Sequence, residues 1–254
     1  MAEQLPYTPL PDIGFADNTQ QRCPCVLLVD TSGSMGEIVS RSGASLGYTI
    51  QQDGQTYNAV SGGTTRIDLV NEGLRAYQAD LMSDTLASLR VEVSIITFGG
   101  KVETVMPFTT ARDFTPPPLQ ASGETPMGAA ILQSIDAVEE RKRVLKQNGI
   151  DYLRPWIFLI TDGAPNHDDP WKSAAEKVLE GEASKKFSFF AVGVEGANFE
   201  ILGQFSKVRQ PAKLKGYSFK EMFLWLSSSQ RAMSQSSPGQ EQNVVLPPPG
   251  WTSV

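Results

Sequence analysis

One histidine and two cysteines in 254 residues leave no inventory for a zinc site built from His and Cys. The cysteines stand as Cys23-Pro24-Cys25, too close for an ordinary structural disulfide and without the spacing of a redox C-x-x-C pair. They are expected to lead into the first strand, with a redox or metal role as the alternative. Basic residues are also short: 22 Lys and Arg against 28 Asp and Glu give a formal net charge of −6. That composition disfavours nucleic acid as a partner, because phosphate binding wants a basic surface. No apolar stretch is long enough to span a bilayer, and the N-terminus lacks the basic-then-apolar order of an export signal. A cytoplasmic location with no membrane partner is the expectation. There is no Gly-rich phosphate loop with its lysine, and a single histidine leaves no convincing Ser-His-Asp set. No internal repeat is visible.

What is present is enough apolar residue, 40% of the chain, to bury one substantial core, so a single α/β domain with extensions is expected. Its focus is Asp30-Thr31-Ser32-Gly33-Ser34, directly after the apolar run Val26–Val29. Such a run reads as a buried central strand and the Gly/Ser stretch as its exit loop. Asp30, Ser32 and Ser34 alternate, so their side chains can converge on one side. A carboxylate and two hydroxyls are hard oxygen ligands, suited to Mg2+, Mn2+ or Ca2+. The competing reading is a plain turn whose Asp caps the next helix.

Two later stretches bear on that choice. Gly123-Glu124-Thr125-Pro126-Met127-Gly128 opens a helical pattern and offers the Thr125 hydroxyl; Thr161-Asp162-Gly163 ends the apolar run Trp156–Ile160 with a second carboxylate. In a parallel α/β sheet, ligands gather beyond the carboxyl ends of the strands.

In chain order, residues 1–22 are polar and Pro-dotted and are expected across the surface as an extension. The main domain is placed at 23–228. Within it, 41–64 contains Gln52-Asp53-Gly54-Gln55 between β-rich arms, which predicts a β-hairpin. A helix is expected from Thr65, with Asp68 as capping partner and Ile67, Val70, Leu74, Tyr77 and Leu81 on its apolar face. A strand follows at 90–98, and Gly99-Gly100 turns it into an antiparallel edge strand at 102–108. A long helix runs from Pro126 to about Gln147, with Arg141-Lys142-Arg143 on a solvated face complementing its C-terminal dipole. After the strand Trp156–Ile160, His167 is read as a surface residue rather than a ligand. Asp168 and Asp169 either add negative potential near Asp162 or cap a helix beginning at Trp171. A strand at 187–194, a short helix at 199–205, a strand at 213–215 and a helix opening at Phe219 complete the domain. The tail, 229–254, turns to Ser and Gln and then to Pro247-Pro248-Pro249-Gly250-Trp251. It is expected to pack back on its own domain, docking on a partner being the alternative. The recurring β-α alternation predicts a doubly wound, mostly parallel sheet with one antiparallel edge strand and helices on both faces.

The chain resembles the von Willebrand factor A domain, a Rossmann-like fold whose metal-ion-dependent adhesion site uses D-x-S-x-S, a Thr loop and a T-D-G-type Asp. Position by position, the match falls on Asp30, Ser32, Ser34, Thr125 and Asp162. The stretches VEVSIITFGG, TPMGAAI, YLRPWIFLITDGAP and GEASKKFSFFAVGVEGA, with the Pro-rich end, look like the TerY-type branch associated with bacterial tellurium resistance and stress response. The 41–64 segment departs from that branch as an insertion, and Glu124 stands where a small Gly would be usual.

The resemblance implies a Mg2+ site, with Mn2+ or Ca2+ possible, that bridges to an Asp or Glu carboxylate of a protein partner. Glu124, His167 and Asp53 are candidate partner-facing residues; Asp53, at the expected hairpin tip, is also a candidate to enter another copy's metal site. A second reading implied by the branch is a phosphorylation-regulated adaptor working with a kinase and phosphatase pair. Enzymatic activity is not expected. A strand followed by Asp is similar to haloacid-dehalogenase phosphotransferases, but Ser32 occupies the place of their second carboxylate.

Overall fold

The apolar run Val26–Val29 lies within β1 (Cys23–Asp30), a strand buried along its whole length. The computed structural model describes residues 15, 17–40, 45–52, 55–60, 62–237 and 252–253. After β1 come β2 (Ile38–Ser40), β3 (Ser45–Gln52), β4 (Gln55–Val60) and β5 (Thr64–Thr65), then helices α1 (Arg66–Met82) and α2 (Thr85–Arg90). Strands β6 (Val91–Gly99) and β7 (Lys101–Thr110) lead to α3 (Met127–Gln147), β8 (Trp156–Thr161), α4 (Trp171–Ala183) and β9 (Ser188–Gly193). The single turn α5 (Phe199–Leu202), β10 (Ala212–Leu214), α6 (Phe219–Ser234) and β11 (Thr252–Ser253) follow.

Seven of the described strands form one sheet in the order β11-β10-β9-β8-β1-β6-β7. The five strands from β10 to β6 run parallel, and β7 folds back antiparallel on β6 at one edge. This is the doubly wound, mostly parallel α/β sheet that the β-α alternation predicts. Gly99-Gly100 makes the predicted reversal, with Gly100 at a φ of 69°, a region glycine enters without strain. At the other edge Thr252 and Ser253 pair antiparallel with β10, so the tail returns to its own sheet there; Trp251 lies outside the described residues.

Side-chain alternation along β1 decides which helices cover which face. Cys23, Cys25, Leu27 and Val29 share a cluster with Val70, Leu74 and Tyr77 of α1 and Phe219 and Phe223 of α6. Val26 and Leu28 point the other way, into a cluster with Ala130 and Ile131 of α3 and Ala174 and Val178 of α4. Both thiols are free and buried, and burial pushes each up to about 12. They belong to the strand, as the spacing suggested. Helix α1 starts as predicted: Thr65 Oγ1 accepts from Asp68 N, and Thr65 N donates to Asp68 Oδ2.

Three segments differ from the expectations. Phe15, Asn18 and Arg22 are built into the fold rather than laid across it. Phe15 packs with Leu145 and Ile150, and the Arg22 guanidinium, 1% exposed, donates through Nε to Glu92 Oε1 over 3.0 Å. Arg141 also leaves the solvated face expected for it, donating through Nε to Glu92 Oε2 at 2.8 Å. A carboxylate buried on β6 requires cationic partners, and it draws them from both sides. Only Arg143 stays outside, paired with Glu140; Lys142, its side chain 12% exposed, pairs with Glu139. Third, α6 continues through the Ser/Gln stretch to Ser234, because its buried polar side chains find partners: Ser227 donates to Asp80, and Gln230 accepts from Tyr77.

The 41–64 segment carries the predicted hairpin: β3 and β4 pair antiparallel up to Gln52 opposite Gln55. Its tip, Asp53-Gly54, lies outside the described residues, as does any role for Asp53. Below it, β2 and β5 close the base of the segment. Among the described residues no helix is long and apolar enough to cross a membrane.

Candidate metal centre

β1 and β8 are parallel neighbours in register, Val29 opposite Ile160, so Asp30 emerges level with Thr161. From β1 the sheet winds outward in both directions, through β6 on one side and β8 on the other. A crevice at the carboxyl ends of such strands is where ligands bind in open α/β sheets.

Asp30 is fully buried there. Its Oδ1 accepts from Ser32 N at 2.8 Å and its Oδ2 from the Thr161 hydroxyl at 2.6 Å. Burial pushes the Asp30 carboxyl up to about 6, against the downward pull of those hydrogen bonds. The chain then enters a 3-10 turn, Gly33–Gly36, which sets the Ser32 and Ser34 hydroxyls 3.1 Å apart. Ser34 donates in turn to Asp162 Oδ1 at 2.7 Å. Four of the five sequence-predicted oxygens thus form one run: Asp30, Ser32, Ser34, Asp162.

Thr125 stands beside that run rather than in it. Its loop is fastened by main chain: Gly33 N donates to Gly123 O, Ser122 N to Thr31 O, and Gly100 N to Glu124 O, all within 2.9 Å. Gly123 has a φ of 75°, and a Cβ there would come 2.6 Å from the Gly100 backbone, so the close approach requires glycine. The loop holds the Thr125 hydroxyl 3.6 Å from the position a Cβ on Gly163 would take, next to Asp162. Thr125 itself is buried.

The set is two carboxylates and three hydroxyls, all hard oxygens that fit Mg2+, Mn2+ or Ca2+ and not a soft-ligand metal. Among the described residues no three His, Cys, Asp or Glu side chains cluster as a metal cradle. An ion here would therefore depend on the hydroxyls, and Asp30, Ser32, Ser34, Thr125 and Asp162 are the residues that could hold it.

Three further residues shape the site and were missed by sequence reasoning. Thr161 anchors Asp30, as above. Arg66, the first residue of α1 and 8% exposed, reaches Asp162 Oδ2 through Nη1 at 2.6 Å and Glu37 Oε2 through Nη2 at 2.9 Å. A cation in the first turn runs against the helix dipole, and that anomaly is the signal that could have found it. Asn166 grips the Thr125 backbone twice, accepting from Thr125 N at 2.9 Å and donating its own N–H to Thr125 O at 3.2 Å.

Of the two readings of the Asp pair, added negative potential near Asp162 or a cap on the helix beginning at Trp171, Asp169 corrects the second. It caps α3 instead, accepting from Gly128 N at 2.5 Å and Ala129 N at 3.2 Å, while α4 has no side-chain cap. His167 is 98% exposed and, as expected of a surface residue, reaches only its neighbour Asp168 among the described partners, at 2.9 Å. Glu124 is exposed. With Asn166, His167, Asp168 and Asp169 it lines a groove of about 620 Å³ next to the Thr125 loop.

The sequence profile of the von Willebrand factor type A domain matches residues 25–164, the stretch that contains all five oxygens. Among curated proteins none matches the sequence. Several solved structures share the fold. The von Willebrand factor type A protein from Catenulispora acidiphila is 13% identical with a TM-score of 0.51, covering 83% of this chain and 43% of its own. The PilB minor pilin from Streptococcus sanguinis is 13% identical with a TM-score of 0.52, covering 84% and 62%. Proximal thread matrix protein 1 from the mussel byssus is 15% identical with a TM-score of 0.50, covering 84% and 49%. This chain therefore spans less than two thirds of each of those proteins, and the likeness is one of fold.

Proposed function

This chain belongs to the von Willebrand factor type A domain family, commonly a protein-interaction module, and from that premise we propose that it is a metal-ion-dependent adhesion module. Asp30 and Asp162 provide the negative charge of the site, and Ser32, Ser34 and Thr125 provide neutral oxygens. Bound there, Mg2+, or alternatively Mn2+ or Ca2+, supplies an open coordination position for an Asp or Glu carboxylate of a protein partner. The chain's own part is preorganisation. Ser32 N and Thr161 aim the Asp30 carboxylate, Ser34 aims Asp162, and Asn166 fixes the backbone from which Thr125 projects.

The observation that carries this reading is the continuous run of hydrogen bonds from Asp30 through Ser32 and Ser34 to Asp162, across the carboxyl ends of two adjacent strands. The motif stretches around it support placing the chain in the TerY-type branch. Its setting on that reading is a bacterial tellurium-resistance or stress-response system, with a kinase and phosphatase pair as candidate neighbours. We assign it no catalytic role, since Ser32 stands where a phosphotransferase needs an acid/base carboxylate.

Calorimetric titration with Mg2+ of the wild-type protein and of Asp30→Ala tests the assignment. Saturable binding that disappears in a folded Asp30→Ala protein is the expected result. Equal Mg2+ affinity in the two proteins, with circular dichroism confirming that both are folded, would remove the site. A pull-down from bacterial extract in Mg2+, in EDTA and with Asp30→Ala then tests the adhesive role: a partner retained equally under all three conditions would refute it.

A further inference from the structure

All four carboxylate oxygens of Asp30 and Asp162 are engaged by protein donors, and these donors are not alike. Ser32 N, the Thr161 hydroxyl and the Ser34 hydroxyl are neutral; the fourth, Arg66 Nη1 on Asp162 Oδ2, is a full cation. Resting on the metal-site reading above, we infer that Arg66 is a built-in counter-cation that sets how tightly the site takes up a divalent ion.

Arg66 is placed at a cost that packing does not repay. It opens α1, where the helix dipole opposes a positive charge. Its guanidinium is buried, and Nε has no hydrogen-bond partner among the described residues. What offsets that cost is Asp162 on one side and Glu37 on the other, with the Tyr217 ring 5.8 Å below. In charge terms the site holds two carboxylates and one guanidinium, a net of −1 rather than −2. A divalent ion among the five oxygens is attracted by both Asp residues and repelled by Arg66, which already holds one of the four carboxylate oxygens. Without an ion, the same guanidinium keeps Asp162 from facing Asp30 as an uncompensated second negative charge. Arg66 thus lowers cation affinity and makes the metal-free site tolerable. Glu37, 62% exposed, draws on the same guanidinium from outside and weakens its hold on Asp162. It is also the residue after which the chain leaves for the 41–64 segment, and Arg66 N donates to its carbonyl at 3.2 Å.

Mg2+ titration calorimetry on wild type, Arg66→Gln, Arg66→Lys, Glu37→Gln and Asp30→Ala tests this, with urea unfolding in EDTA and in Mg2+ as the second readout. Arg66→Gln is expected to bind Mg2+ at least about tenfold tighter, a lower bound, because even at the dielectric of water a unit charge about 4 Å from a divalent ion is worth more than one decade in affinity. It should also be less stable than wild type in EDTA and recover in Mg2+. Arg66→Lys, which keeps the charge, should stay near wild type, and Glu37→Gln should weaken binding by a smaller factor. Arg66→Gln binding no tighter than wild type, or Gln and Lys behaving alike, overturns the inference. If Arg66→Gln does not fold, unchanged or tighter binding by Glu37→Gln overturns it instead. A wild-type protein without Mg2+ binding that Asp30→Ala abolishes would overturn the metal reading itself, a result distinct from either of those.

Discussion

The Thr161 hydroxyl donates to Asp30 Oδ2 over 2.6 Å, tying the last residue of β8 to the last residue of β1. Both residues are fully buried, so no solvent can replace the donor. Thr161→Val keeps the shape and removes the hydrogen bond, leaving a buried carboxylate oxygen unsatisfied. The expected loss is about 1–3 kcal/mol, read as a lower urea midpoint in EDTA with an unchanged slope. Mg2+ binding should weaken as well, because Asp30 is then aimed only by Ser32 N.

The same burial makes the metal-free protein sensitive to pH. The Asp30 carboxyl is pushed up to about 6 by desolvation, while an unfolded chain has it near the usual ~4. The native state therefore holds this proton more tightly than the unfolded state. Its contribution to stability is full below about pH 4 and is lost as pH rises toward 6, a loss on the order of 2–3 kcal/mol. Urea unfolding in EDTA from pH 4 to 7 should show this slope relative to Asp30→Asn, which lacks the titrating group. Identical pH profiles for the two proteins would count against it. Adding Mg2+ should reverse the trend, since an ion binds the ionised carboxylate and its stabilisation grows as pH rises.

The parts legible in the sequence were those with local causes. The run Val26–Val29 followed by Asp30-Thr31-Ser32-Gly33-Ser34 specifies a buried strand and its loop within nine residues. Thr65 and Asp68 specify a helix start within four, and Gly99-Gly100 a reversal within two. The remainder depends on pairs far apart in the chain, where no periodicity applies. Arg66 and Asp162 are 96 residues apart, and Arg22 and Glu92 are 70. Asp169 lies just before one helix and caps another, 41 residues upstream. Polar residues at such positions read as surface until the partner that buries them is known, as with Asn18, Arg22, Arg141 and the end of α6.

Asp169 offers a clean comparison with its neighbour. Its carboxylate satisfies two N–H groups of the first turn of α3, and Asp168 is almost fully exposed against His167. Asp169→Ala should cost about 1 kcal/mol, the usual loss for a capping side chain, whereas Asp168→Ala should be neutral within measurement. Thermal melts of the two variants side by side decide it. Equal melting temperatures would mean that α3 does not depend on this cap.

Glu92 sits under two guanidiniums, with Arg22 and Arg141 both on its carboxylate and Arg141 also 5.0 Å from the Phe15 ring centre. Replacing the acid removes compensation from a buried Arg22 without removing its charge. Breaking one side of a buried pair is far more damaging than replacing the whole set. Glu92→Gln should therefore lose about 3–5 kcal/mol and loosen the segment from Phe15 to Arg22, seen as faster amide exchange there than in α4. Arg22→Met combined with Glu92→Gln should lose less than the sum of the two single changes, because the second substitution no longer strands a charge. Strict additivity would show that Arg22 and Glu92 act independently, and the N-terminal residues would then be held by the Phe15 contact instead.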